Sequence, residues 1–197
     1  MLGRLTLSLL MTLTISSVVA CTDLTSEDEE TSNLSSEEQA CMHDEAAKLA
    51  VLKKLHDRYQ DINVALADGY KLGVIYNGNL VVNGCVSNLA NPALGAMGYH
   101  YFLQDRFDDA KIKELKPEVL VYHTGANGTR VLGAVEWVVP KPAWDAKHGV
   151  DADAPEVYGQ MMMILNPMLN WYVAHAWLWK DNPSGVLSDW NPDVTCP

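Results

Sequence analysis

Val119-Leu120-Val121-Tyr122-His123 is followed by Thr124-Gly125-Ala126-Asn127-Gly128-Thr129, and then by Arg130-Val131-Leu132-Gly133-Ala134-Val135-Glu136-Trp137-Val138-Val139. Two β-branched runs flank Asn127-Gly128, a pair that tolerates the positive φ angles of tight hairpin turns. The stretch predicts an antiparallel hairpin. Alternation along the returning strand puts Leu132, Ala134, Glu136 and Val138 on one face, with Val131, Val135, Trp137 and Val139 on the other. Glu136 is then a carboxylate among apolar neighbours. It either meets water on an amphipathic strand or is buried with a partner.

Two further runs join the hairpin. Gly95-Ala96-Met97-Gly98-Tyr99-His100-Tyr101-Phe102 predicts a strand whose early glycines mark a close backbone approach or a bulge, and His100 shares a face with Gly98 and Phe102. Trp171-Tyr172-Val173-Ala174-His175-Ala176-Trp177-Leu178-Trp179 predicts another. Its alternation gathers Trp171, Val173, His175, Trp177 and Trp179 on one side, an imidazole among large rings. Between these runs, 70–92 is rich in Gly and Asn and reads as turns and short strands. Pro140 and Pro142 end the returning strand, and Trp144 to Pro155 reads as a loop.

The segment before them is helical. Leu52, Leu55, Tyr59, Ile62 and Leu66 recur at steps of three and four and form one stripe, and Ser35 with Glu38 offers a capping box. A break is expected near Asp61, which can cap a second segment, and an end by Gly69. His43 and His56 are expected at the surface. The fold class is therefore α+β: an N-terminal helical segment packed on a curved, mostly antiparallel β-sheet, with closure into a barrel left open.

Of 197 residues, 48% are hydrophobic and 20% charged, enough for one core rather than two. The net charge of −11 disfavours nucleic-acid binding. Much of that charge precedes Lys48 in a polar, acidic arm. Ahead of it, Arg4 and the uncharged run Leu5 to Val19 form an export signal too short for a confident membrane span. The run ends Val18-Val19-Ala20-Cys21, which resembles a bacterial lipobox. That resemblance implies cleavage before Cys21, its lipidation (palmitate among the acyl chains) and a stable membrane anchor. Thr22 rather than Asp follows, which by resemblance to Gram-negative lipoproteins favours the outer membrane, facing the periplasm or the cell surface. The organisation expected is signal peptide 1–20, acidic tether 21–36 and one domain 37–197.

Export makes disulfides durable, and Cys41, Cys85 and Cys196 remain for pairing. Cys85–Cys196 is the preferred bridge, since both lie in loop-like context and the bond would pin the tail from Asp189 to Pro197; Cys41 sits in helical sequence. The run Met161-Met162-Met163 reads as adaptable packing before a copper site, and Asp151 with Asp153 is a faint calcium-like spacing.

Several segments together resemble a family of uncharacterised secreted bacterial proteins. They include 61–70, Gly95-Ala96-Met97-Gly98-Tyr99-His100-Tyr101, 116–122, Ala134-Val135-Glu136-Trp137, His175-Ala176-Trp177-Leu178-Trp179 with Asn182-Pro183-Ser184-Gly185, and Asn191-Pro192-Asp193-Val194-Thr195-Cys196. The resemblance makes His100, His175 and Glu136 the shared polar residues and implies no reaction or cofactor.

Those three residues lie on different predicted strands, and a sheet can bring them together. Two imidazoles and a carboxylate are a common ligand set for zinc or iron, and copper also favours imidazole. Phe102, Trp171, Trp177 and Trp179 would line the surrounding pocket. Three other readings stay open: a metal-free pocket for a small molecule, a metal-independent enzyme with His175 and Glu136 as acid and base, or a structural or interaction protein without a site. No GxSxG and no glycine-rich phosphate loop occurs.

Overall fold

The computed structural model describes residues 45–197. The signal peptide, Cys21, the tether, the Ser35/Glu38 capping box, Cys41 and His43 lie outside the described residues. The described chain is α+β, with an N-terminal helical segment packed on one face of a mostly antiparallel sheet that does not close into a barrel.

Helix α1, Glu45–His56, runs into a 3₁₀ turn, Asp57–Gln60, and then α2, Ile62–Ala67. The break falls at Asp61, whose carboxylate accepts from the Asn63 backbone N–H at 2.9 Å. The expected stripe does not stay on one side: within α1 itself Leu52 faces the core and Leu55 lies on the flank, and the 3₁₀ winding shifts the phase again before Leu66. Leu52 and Tyr59 are buried, whereas Leu55 and Leu66 are exposed. His56 corrects a second expectation: it is buried, with Nδ1 2.9 Å from the Leu52 carbonyl. Burial drives its pKa down to about 4, which keeps it neutral.

Eleven strands follow: β1 Lys71–Leu72, β2 Val74–Tyr76, β3 Asn79–Val81, β4 Cys85–Ser87, β5 Ala96–Phe102, β6 Val119–Thr124, β7 Arg130–Pro140, β8 Glu156–Val157, β9 Gln160–Met161, β10 Met163–Ile164 and β11 Trp171–Trp177. The main sheet runs β1-β5-β6-β7-β11-β10, with β4 also on β5. The pairs β2/β3 and β8/β9 stand apart from it. Helix α3, Gln104–Asp109, links β5 towards β6. Helix α4, Lys141–His148, occupies much of the segment read as a loop. Pro142 does not prevent it, because proline fits a first helical turn whose N–H groups have no intrahelical acceptor.

The predicted hairpin is β6 and β7. Asn127 and Gly128 both adopt positive φ, 60° and 77°, and the Gly125 N–H reaches the Thr129 carbonyl at 2.8 Å. One bulge changes the predicted alternation. Val121 pairs with Ala134 but Tyr122 pairs with Leu132, so Gly133 is the extra residue. Leu132 thereby moves to the face of Val135, Trp137 and Val139, leaving Ala134 and Val138 on the other. Gly98 shows why β5 needs glycine early: a Cβ there would lie 2.5 Å from the Tyr122 carbonyl oxygen.

The sheet has two buried faces. Tyr99, Tyr101, Leu120, Tyr122, Trp137 and Tyr172 pack against Leu49, Leu52 and Tyr59 of the helical layer. Phe102, Val119, Val121, Ala134, Val138, Trp171, Val173 and Trp177 form the other face, covered by Val74, Phe107, Val194 and loop residues. The Cys85–Cys196 disulfide is present, at a separation of 111 residues, and ties the tail to β4. In the chain-entropy picture so long a loop is worth roughly 4–5 kcal/mol. Asn191 continues the attachment, exchanging backbone bonds with Ala96 at 3.1 and 3.2 Å. Met162 enters the core while Met161 and Met163 are exposed, so the three methionines do not converge. None of the described helices is long and apolar enough to cross a membrane.

Glu118 is buried beside β7 and accepts the Val138 N–H at 3.0 Å. Burial raises its pKa from 4.5 to about 8, with that N–H opposing the rise. The unfolded chain therefore releases this proton first. The group's stabilising effect is present below pH 4.5 and is lost as pH climbs towards about 8. Glu118→Gln keeps an acceptor and does not titrate. Chemical denaturation across this range should show the variant gaining on the wild type by up to a few kcal/mol, at about 1.4 kcal/mol per pKa unit. A constant difference would refute the assignment.

Candidate functional site

The site lies on the sheet face opposite the helices, and strand register builds it. His175 on β11 is directly opposite Glu136 on β7, Glu136 is opposite Val119 on β6, and Val119 is opposite Phe102 on β5. The neighbouring row reads Trp177, Ala134, Val121 and His100. His100 is thus one row and two strands from Glu136. Only small or short side chains, Val119, Val121 and Ala134, lie between, so the longer groups meet above them.

The meeting is close and buried. His100 Nε2 is 3.5 Å from Glu136 Oε2, and His175 Nε2 is 3.8 Å from Glu136 Oε1. The imidazole centroids are 5.9 Å apart and almost perpendicular. All three side chains are buried, His175 completely. On the far side of its ring, His175 Nδ1 lies 3.0 Å from Asp189 Oδ1. A carboxylate only accepts, so Nδ1 carries the hydrogen and donates it, and in the neutral ring Nε2 presents its lone pair to Glu136. His175 Nε2 and Glu136 Oε2 have no hydrogen-bond partner among the described residues. Buried acceptors without a donor are stabilised by a positive species beside them, either a proton or a cation.

The electrostatics follow from burial. Desolvation, reinforced by His175, pushes the His100 pKa down to about 3, leaving a neutral donor of a lone pair. Burial raises Glu136 to about 7, opposed by His175 and assisted by the Asp189 charge. For His175, burial would lower the pKa, but the Glu136 and Asp189 carboxylates together outweigh it and the net direction is upward.

Donor atoms of His100, Glu136 and His175 all lie within 4.8 Å of one another, and the group could hold a metal ion. Around a four-coordinate ion with bonds of about 2.1 Å, donors sit about 3.4 Å apart, close to the 3.5 Å between His100 and Glu136. Asp151 and Asp153 join no such cluster among the described residues.

The aromatic residues divide. Phe102 and Trp171 line a cavity of about 640 Å³ that reaches His100 and Glu136. Trp177 lies outside that lining; it stacks beside His175 at 6.4 Å and donates Nε1–H to the Ser188 carbonyl at 2.7 Å. Trp179 is a correction. Strand β11 stops at Trp177, and beyond it alternation no longer applies. Trp179 packs with the opposite cluster and donates to Asp57 Oδ1 at 2.8 Å. The sequence reading missed Asp189 and Trp190. Trp190 borders the cavity, and both it and Asp189 border a separate cleft of about 500 Å³ behind His175. The available signal was the pinned tail itself, since a buried histidine needs a partner for its second nitrogen.

No protein family, curated protein or solved structure matches this chain. The geometry alone carries the chemistry.

Removing the Asp189 carboxylate should release the His175 ring. In Asp189→Ala, nitrogen chemical shifts of His175 should move away from the pure Nδ1–H tautomer, with a stability loss of about 1–3 kcal/mol. An unchanged tautomer would show that Asp189 does not set it.

Proposed function

We propose that the protein is an exported cell-envelope lipoprotein that binds a transition-metal ion through His100, Glu136 and His175. One observation carries this reading: the Nε2 atoms of two buried imidazoles converge on a buried carboxylate at 3.5 and 3.8 Å, and His175 Nε2 and Glu136 Oε2 have no hydrogen-bond partner among the described residues. A divalent cation resolves both contacts at once. Neutral histidines and an ionised carboxylate are the ligand forms it needs, and binding would release the proton that otherwise resides there. Two histidines and one carboxylate suit zinc and iron(II), with copper also accessible to imidazole. Three protein donors leave a position open to water or another molecule, and the Asp189 bond supplies the outer support that orients a histidine ligand.

A second reading draws on the same bond. Asp189, His175 and Glu136 form a connected acid–base set in which His175 could take or give a proton without a metal. The two readings differ in what the purified protein should contain.

Export and anchoring rest on the Arg4-to-Cys21 segment, supported by the Cys85–Cys196 disulfide, a bond that persists in oxidising compartments.

Elemental analysis of protein purified from the cell envelope should find about one equivalent of zinc, iron or copper. His100→Ala and His175→Ala should each lose it, and the thermal stabilisation on adding zinc should disappear with it. Metal-free protein whose melting ignores zinc and copper would rule the metal out and leave the acid–base reading. Separately, Cys21→Ser should move the protein from the membrane fraction to the soluble one; continued membrane retention would reject the lipid anchor.

A further inference from the structure

The cavity over the three-residue cluster has a chemistry of its own. Its walls include Met97, Phe102, Leu165, Leu169, Trp171 and Val173, and Glu136 is the one charged side chain in its lining. No lysine or arginine lines it, so a phosphate or a strongly anionic molecule would find no counter-charge. Two acceptor atoms of the lining are already engaged. Asn88 Oδ1 accepts from the Asn91 N–H at 2.9 Å, and Asn166 Oδ1 accepts from the Met168 N–H at 2.9 Å. Most of the lining is apolar, so a sugar would meet few of the hydrogen-bond partners it needs.

Three further features point to an occupant. The indole N–H of Trp171, a buried wall residue, has no partner among the described residues. Val82, also in the lining, has φ of +54°, a costly conformation for a β-branched residue and one that concentrates at ligand-binding segments. At the mouth, Leu89 and Met168 lie on different loops and expose 88% and 96% of their surface. Large apolar side chains so placed gain burial only when something fills the space between them.

We infer that the cavity binds a small neutral molecule with a ring-sized apolar body, which presents one donor atom to the His100–Glu136–His175 centre. The volume of about 640 Å³ accommodates such a molecule. His100 and Glu136 line the cavity while His175 does not, so the centre is open on the cavity side. The apolar body lies along Trp171, Phe102 and Met97, and the side chains of Leu89 and Met168 close over it. This rests on the metal reading for the donor atom alone; the apolar recognition stands on the cavity.

The probes are 4-phenylimidazole and imidazole, measured by equilibrium dialysis on the full-length protein with and without cobalt(II), under mildly alkaline conditions where both are mostly neutral. Burying the phenyl ring should make 4-phenylimidazole bind at least about tenfold more tightly than imidazole in both forms. Cobalt should tighten both probes and change its visible spectrum on their addition. Ser87→Trp and Ala90→Trp, which fill the cavity from its lining, should each abolish the phenyl preference while leaving cobalt uptake unchanged. Equal affinities for the two probes would overturn the inference, as would a phenyl preference that survives both filling variants. Cobalt that binds without a spectral response to either probe would overturn the donor-atom part. Failure to take up cobalt at all would instead overturn the metal reading, and the phenyl preference of the metal-free protein would still decide the apolar recognition.

Discussion

Glu136 is buried in the middle of β7, a central strand, on a face otherwise made of valine, alanine and aromatic rings. A carboxylate there is costly unless its charge is neutralised or compensated. The surroundings supply compensation in layers. Two imidazoles face it, Asp189 orients one of them, and a disulfide holds the tail that carries Asp189. Each layer exists because the previous one is incomplete. The innermost layer still leaves His175 Nε2 and Glu136 Oε2 without a hydrogen-bond partner among the described residues.

The division of labour between the sheet faces follows from that constraint. One face takes the helical layer and the tyrosines, and it makes a conventional core. The other is covered by the short β2/β3 pair, helix α3, loops and the disulfide-bound tail, which leave a cavity over the cluster. The bulge at Gly133 moves Leu132 to the helix side while Ala134 stays on the site side with Glu136. Short side chains in the two rows around the site give the imidazoles room to converge.

Much of this was legible from residue patterns. Alternation on β5, β7 and β11 put His100, Glu136 and His175 on single faces, and Asn127-Gly128 marked the hairpin. The Cys85–Cys196 pairing followed from loop context. What alternation cannot express is where it stops. Trp179 lay in phase with His175 in the sequence but beyond the strand end, and it turned to the other side. Leu132 lay in phase with Glu136 until one glycine reset the register. Leu55 fell on the flank of its own helix, Leu66 left the stripe after a 3₁₀ turn changed the phase, and His56 was buried by tertiary packing that its local sequence does not encode.

The sequence by itself determined the α+β class, the hairpin and the identity of three polar residues on three strands, and the loop context of Cys85 and Cys196 favoured their pairing. Those properties are local: a period, a turn pair, a residue's chemistry. Convergence was decided only in the folded chain. Whether His100 reaches Glu136 depends on strand order, on a one-row offset across β6 and on the short side chains between them. Asp189 reaches His175 because a tail of irregular structure is bound to β4 and β5. Neither fact has a sequence period, because each is set by register and by a covalent tie between segments distant in the chain.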